Sequence, residues 1–298
     1  MRPLQAGDRV QLVAASSALL GAPAAERLKA GCALLASWGL VVPNNDDLER
    51  RWLSRHWGYL AGRDAERQGD LEAAAGAGLL ACVRGGWGAA RLLERSPVLA
   101  AQWLLGFSDV TSLLWAQRAQ GAAGGIHGPL LTTLASEPAW SQERLRQLLF
   151  GEPLAPLQGL GWVGGVATGP LLAGNLTVAT HLLGTPHLPP LEGAVLVLED
   201  VGEAPYRIER MLTHWRLCGA LQQLAGIGFG SFSDCNDDND PDASRRFSLE
   251  QVLRERTADL GIPVLAGLPV GHEPGNAALP LGCLARLNGS SGTLELLD

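Results

Sequence analysis

The sequence predicts an α/β protein in two parts: an N-terminal, mostly parallel α/β sandwich, and a C-terminal mixed α+β domain with a small sheet or barrel. Three observations carry this. Short, purely apolar runs alternate with helix-length amphipathic stretches through the first half, the pattern of strands joined by crossover helices. Several runs end in glycine turns, as at Arg84-Gly85-Gly86-Trp87-Gly88 and Gly106-Phe107-Ser108-Asp109. The character then changes near Gly151, because residues 151–170 are rich in Gly and Pro and hold no helical pattern. The expected division is residues 1–150, a linker plus an edge strand at 151–170, and residues 171–298.

The elements follow in order. Residues 9–15 read as a first buried strand, and Pro23 opens a helix over 24–38 that Gly39 closes. Residues 40–43 form a short second strand. The polar stretch 44–58 is a loop with a helical piece, in which Trp52 and Trp57 read as core residues. A helix over 61–75 precedes the strand 79–83 that runs into the Gly85 turn, and a short helix spans 89–93. The strand 103–105 feeds the Ser108 turn and an amphipathic helix over 110–118. A strand and turn at 124–129 and a helix over 141–150, with Ser141 as its N-cap, end the first part. In the second part, helices are predicted over 175–183, 208–218 and 248–260. Strands are predicted over 194–198, 226–232, 263–268, 281–287 and 292–297.

Composition narrows the function. With 298 residues, 47% hydrophobic and 18% charged, the chain can bury a sizeable core and is not broadly disordered. A net charge of −7 argues against nucleic-acid and anionic-membrane partners. The five cysteines, Cys32, Cys82, Cys218, Cys235 and Cys283, form no CxxC pair, so neither a zinc ribbon nor a disulfide framework is expected. Residues 1–10 show no charged-then-apolar leader, and no apolar run nears the roughly 18 residues of a membrane span. These points indicate a cytoplasmic protein. The Gly85 turn lacks both nucleotide-loop spacings, G-x-G-x-x-G and G-x-x-x-x-G-K-[ST], and no cofactor is implied. The stretch 234–242 is acidic but lacks the glycine and distal glutamate of a calcium loop, so it reads as solvated.

The chemistry centres on Ser108, a serine on a strand-to-helix turn. A serine nucleophile needs a base and a group that orients the base. Asp109, its neighbour, points elsewhere and belongs to the first helical turn, where the dipole favours its charge. Among the histidines, His181 and His214 fall in helices, whereas His127 and His272 each follow an apolar strand beside Gly and Pro. The residue pattern does not choose between those two. Glu199, directly after Val195-Leu196-Val197-Leu198, is the candidate orienting acid. The amides of Gly86 and Asp109 are candidate oxyanion donors, a role worth about 3–4 kcal/mol each in acyl transfer.

These residues, taken together, resemble the LD-carboxypeptidase family of serine peptidases, the muramoyltetrapeptide carboxypeptidases. The resemblance runs almost end to end. It includes Ala14-Ala15-Ser16-Ser17, the block from Arg84 to Leu93, Gly106-Phe107-Ser108-Asp109-Val110-Thr111, His127-Gly128-Pro129, Gly174-Asn175-Leu176 and Leu183-Gly184-Thr185-Pro186. Its most specific piece runs from Leu198-Glu199-Asp200 through Pro205-Tyr206-Arg207 to Met211-Leu212, and it ends with Gly267-Leu268-Pro269-Val270-Gly271-His272. Trp87 and Phe107 stand where tyrosine is usual, and Ala173 where glycine is usual. The resemblance implies a Ser108–Glu199–His272 triad, with His272 as base in place of His127, in a site between the two domains. It implies hydrolysis of the L,D amide bond to the terminal D-alanine of murein tetrapeptides or related peptides, without a metal, by a homodimer. Arg84 and Arg207 are candidate holders of the substrate's terminal carboxylate, and Trp87 borders the oxyanion turn. Two alternatives accompany this reading: a family relative that cleaves peptidyl-nucleotide antibiotics in self-immunity, and a non-catalytic muropeptide-binding protein.

Overall fold

The computed structural model describes residues 1–236 and 247–297, so residues 237–242 of the acidic stretch lie outside the described residues. The chain forms two compact units. The first comprises Met1–Leu154 and Pro274–Leu281, and the second Ala155–Glu273 and Gly282–Asp298.

In the first unit the chain runs through β1 (Val10–Val13), α1 (Ala22–Ser37), α2 (Asn45–Leu48), a π-helical turn (Glu49–Leu53) and α3 (Asp64–Glu72). It continues through β2 (Leu79–Cys82), α4 (Ala89–Leu93), β3 (Trp103–Gly106), α5 (Thr111–Ala119), β4 (Gly125–His127), α6 (Leu131–Leu134) and α7 (Ala139–Phe150). Strands β1 to β4 lie side by side and parallel, with Leu79 opposite Val10 and Trp103. A short strand from much later in the chain, Leu279–Pro280, adds antiparallel to β4. Every residue of β1 to β4 is buried, the pattern of a parallel sheet covered on both faces. The carboxyl ends of these strands release the loops that hold Ser17, Gly85 and Ser108, the edge where α/β sheets carry their sites.

Several boundaries differ from the expected ones for local reasons. Residues 40–43 make only a single bridge, Val41 to Arg9, since Pro43 has no amide to donate. Helix α3 is shorter than 61–75, with the Glu66 carboxylate accepting the Arg63 amide at 2.7 Å to close its first turn. Helix α7 starts before Ser141, whose hydroxyl is buried and donates to the carbonyl of Asn276 at 2.8 Å. Ser141 therefore ties down the returning segment and is not an N-cap. Glu137 does the same, accepting the amides of Gly275 and Asn276 at 2.7 and 3.0 Å, and burial raises its pKa. Trp52 is in the core as expected, but Trp57 is 42% exposed and lies against the guanidinium groups of Arg63 and Arg91.

The second unit contains β5 (Leu157–Gln158), β6 (Leu160–Val163), β7 (Val166–Asn175), α8 (Leu176–Leu182), β8 (Val195–Val201), α9 (Pro205–Leu217), β9 (Gly226–Ser233), α10 (Leu249–Thr257) and β10 (Val264–Ala266). After the excursion through Leu279–Pro280 (β11), β12 (Leu284–Asn288) and β13 (Thr293–Leu296) complete it. The expected second sheet is present and has eight strands, in the order β5-β13-β12-β7-β8-β9-β10-β6. Strands β7 to β10 are parallel, and the outer pairs are antiparallel. Strand β7 joins the two regimes. Residues 166–170 alternate in burial where they pair with β12, and 171–175 are wholly buried where they pair with β8.

Residues 151–170, expected as a linker plus an edge strand, supply both edge strands of this sheet and the first half of β7. Their glycines serve close packing and not chain flexibility: a Cβ on Gly161 would lie 1.9 Å from the Gly289 carbonyl oxygen, and one on Gly169 equally close to that of Gly193. Among the described residues no helix is long and apolar enough to cross a membrane.

Candidate active site

In the first unit, Ser108 opens a 3₁₀ turn, Ser108–Val110, that leads into α5. Its φ is +61°, a left-handed conformation that costs an L-residue about 1–2 kcal/mol. The strain is held from both sides. Phe107 is buried and packs edge-on against His127, with ring centroids 5.7 Å apart, and Val110 is buried after it. His127 is itself wholly buried at the end of β4, in the core beneath this turn.

Asp109 lies in the first turn, as expected. Its carboxylate is also buried and accepts the amide of Ala89, the first residue of α4, at 2.8 Å. It thus ties the Ser108 turn to the glycine turn that precedes α4. Burial pushes its pKa up against the hydrogen bonds that favour its charged form.

The glycine turn is fixed from three directions. Ser17 accepts the Trp87 amide on its Oγ at 3.0 Å and donates its own amide to the Gly85 carbonyl. Arg84 Nη1 donates to the Ala18 carbonyl at 2.9 Å. Arg67, fully buried, donates to the carbonyls of Gly88 (2.7 Å) and Ala15 and to Asp64 (2.5 Å). Asp64 also takes both arms of Arg91, and the two guanidinium groups hold its pKa down at about 2. Gly86 has φ +108°, and a Cβ there would lie 2.3 Å from Ser17 Oγ, so only glycine fits. The amides of Gly86 and Asp109 have no hydrogen-bond partner among the described residues. Trp87 is 48% exposed beside them.

Gly85 approaches the serine most closely. A Cβ on Gly85 would sit 3.0 Å from both Cβ and Oγ of Ser108. Its backbone is outside the left-handed region, so alanine there is sterically pure. Gly85→Ala should leave the fold intact and lower kcat by about 10²-fold by displacing the hydroxyl. Circular dichroism and steady-state kinetics check this, and an unchanged kcat would separate the turn from the chemistry.

In the second unit, a β-bulge positions Glu199. The β8–β9 register shifts between Leu198 opposite Phe229 and Asp200 opposite Phe232, so Gly230 and Ser231 face Glu199 alone. The freed Ser231 amide donates to the Val270 carbonyl at 2.8 Å, which draws in the loop carrying His272. Gly271, at φ +132°, lies so close that a Cβ would be 2.3 Å from Ser231 Oγ and 3.1 Å from Glu199. His272 Nδ1 then meets Glu199 Oε2 at 2.7 Å. The carboxylate is wholly buried and the imidazole side chain 20% exposed. Burial raises the Glu199 pKa, adjacent Asp200 adds to the rise, and the hydrogen bonds of His272 and Asn175 oppose it. Arg207 is half-exposed on α9, 3.4 Å from Glu203 and 3.1 Å from the Tyr206 hydroxyl.

The structure thus gathers Ser108, Gly86, Asp109, Arg84 and Trp87 at one sheet edge of the first unit, and Glu199 with His272 at one sheet edge of the second. The supporting residues Arg67, Asp64, Gly230, Ser231 and Gly271 gave no comparable sequence signal. Arg67 sits in a charged helical run that reads as a solvated face, and a bulge leaves no mark on hydropathy.

One unit thus carries a strained serine at a strand-to-helix turn, and the other a buried glutamate bonded to an imidazole. The chain belongs to the LD-carboxypeptidase family and is a peptidase of that family: residues 10–128 match its N-terminal domain and residues 168–287 its C-terminal domain. A putative carboxypeptidase of Synechocystis sp. is 47% identical, over 99% of this chain and 96% of its own. The murein tetrapeptide carboxypeptidase of Pseudomonas aeruginosa is 35% identical, over 95% of this chain and 94% of its own. The crystal structure of muramoyltetrapeptide carboxypeptidase from Oxalobacter formigenes superposes with a TM-score of 0.82 at 26% identity, covering 96% of this chain and 97% of that one.

Proposed function

We propose that the protein is a serine carboxypeptidase that hydrolyses the L,D amide bond to the terminal D-alanine of murein tetrapeptides, in peptidoglycan recycling. The observation that carries this reading is the 2.7 Å contact between buried Glu199 and His272 Nδ1. A carboxylate on Nδ1 sets the tautomer and makes Nε2 the atom that takes a proton. The 35% identity to a relative named for murein tetrapeptide supports the substrate.

In this mechanism His272 takes the proton of Ser108 as Oγ attacks the scissile carbonyl carbon. The oxyanion receives the amides of Gly86 and Asp109. Collapse breaks the amide bond, and His272 returns the proton to the leaving amine of D-alanine. Water, activated by the same imidazole, then hydrolyses the ester on Ser108. Glu199 stays ionised and stabilises the imidazolium. Arg84 or Arg207 binds the terminal carboxylate, and Trp87, in place of tyrosine, adjusts preference beside the oxyanion turn. The reading includes a cytoplasmic homodimer. Sedimentation reads the assembly.

The test is release of free D-alanine from murein tetrapeptide, beside a tetrapeptide ending in L-alanine and a peptidyl-nucleotide. The expected result is D-alanine from the first substrate alone. Faster cleavage of the peptidyl-nucleotide would favour the self-immunity reading, and binding without turnover a muropeptide-binding protein.

A further inference from the structure

On the second unit, helices α8 and α9 enclose a groove of about 470 Å³. Its cationic character follows from helical spacing. Tyr206, Arg210 and His214 recur every four residues along α9, with Arg207 next to them, while Ile208, Leu212 and Trp215 point into the core. His181 of α8 faces the same space. Arg207 and Arg210 flank one ring, each guanidinium carbon 5.8 Å from the centroid of Tyr206. With Arg207 Nε also donating to the Tyr206 hydroxyl at 3.1 Å, this one side chain holds two flexible cations near each other.

The negative groups nearby leave this charge largely uncompensated. Glu203 reaches Arg207 at 3.4 Å, and Arg210 makes no ion pair among the described residues. Asp200, behind Thr177, is buried and already accepts from Asn175 Nδ2, the Thr177 amide and hydroxyl, and the Val201 amide, all at 2.8–2.9 Å. His181 Nδ1 lies 2.7 Å from the Thr177 carbonyl, so when the ring is charged Nε2 becomes its second donor.

We infer that this groove is an anion-binding site for a ligand that presents a carboxylate or a phosphate. The forks of Arg207 and Arg210 hold it, with His181 and His214 at its edges. The chemistry has two sources: a carboxylate of the peptide substrate, or a separate phosphate-bearing solute. Thr177 lines the groove and bonds Asp200, the neighbour of Glu199 in β8.

The experiment titrates inorganic phosphate by calorimetry into the wild type, Arg210→Ala and Arg210→Lys, with Arg286→Ala as an exposed control. The same proteins are assayed for tetrapeptide KM and kcat, or for tetrapeptide Kd where no turnover occurs. Arg210→Ala should weaken binding of one ligand by about tenfold or more, with partial recovery in Arg210→Lys. A raised KM or Kd for tetrapeptide at unchanged kcat identifies the substrate carboxylate as the source. Lost phosphate affinity at unchanged tetrapeptide affinity identifies a separate anion. Unchanged affinity for both ligands in Arg210→Ala overturns the site. The tetrapeptide KM rests on the proposed carboxypeptidase activity; the phosphate titration does not, so the two can fail separately.

Discussion

Ser108→Ala should abolish D-alanine release, with kcat falling by about 10⁴–10⁶-fold, while the protein stays folded. The size follows from what the hydroxyl does. On the proposed mechanism no acyl-enzyme forms without it, and only binding and the proposed oxyanion amides of Gly86 and Asp109 remain to assist direct attack by water. The backbone supplies an independent check. Ser108 sits at φ +61°, a conformation that glycine adopts without penalty. Ser108→Gly should therefore be as inactive as Ser108→Ala yet stabilise the first unit by about 1 kcal/mol. Denaturant unfolding measures the second effect. An inactive Ser108→Gly of reduced stability would mean that the turn is not strained and that Ser108 belongs to the packing.

Glu199→Gln should lower kcat by about 10³–10⁴-fold with little change in KM. The amide fills the same space but removes the charge that favours the imidazolium. The pH dependence has a definite sign. Burial raises the folded-state pKa of Glu199 above the 4.5 of a free glutamate. The acid limb of wild-type activity should therefore lie above the ordinary carboxylate range, as Glu199 takes up its proton. Stability runs the other way. The folded state holds this proton more tightly than the unfolded state, so Glu199 costs stability as pH rises through the interval from 4.5 to its raised value. Glu199→Gln should thus be no less stable than wild type at pH 7, and the difference should shrink below pH 4.5. Activity and melting across pH 4–8 test both signs. A variant that loses stability at neutral pH while keeping its kcat would make Glu199 a structural partner of His272.

The parts of this site differ in how legibly they were written. Parallel strands buried on both faces are apolar runs, and a strand that ends in a functional turn ends in glycine or a charge. Ser108, the Gly85 turn and Glu199 were visible on that ground. The choice between His127 and His272 was not, since both follow strands beside Gly and Pro; it came from the family resemblance. His127 turns out to be buried against Phe107 and His272 bonded to Glu199. Residues 151–170 hold more strand than the expected linker plus edge strand because glycine has two uses, and here Gly161 and Gly169 let strands and loops approach where a Cβ would collide. Asp109 stands in the first turn that its position suggests, and only the fold shows its carboxylate reaching α4. The return of 274–281 to the first sheet also lies beyond local reading, since Glu137 and Ser141, which bind it, lie about 135 residues upstream.

The central claim is that Ser108, Glu199 and His272 act as one catalytic device. The most direct measurement compares kcat for D-alanine release among Ser108→Ala, Glu199→Gln, His272→Ala and the triple variant. Groups that share one proton relay lose their contribution together. The triple variant should therefore be within about tenfold of the worst single variant. Losses that multiply across the three substitutions would contradict the claim and assign them independent roles.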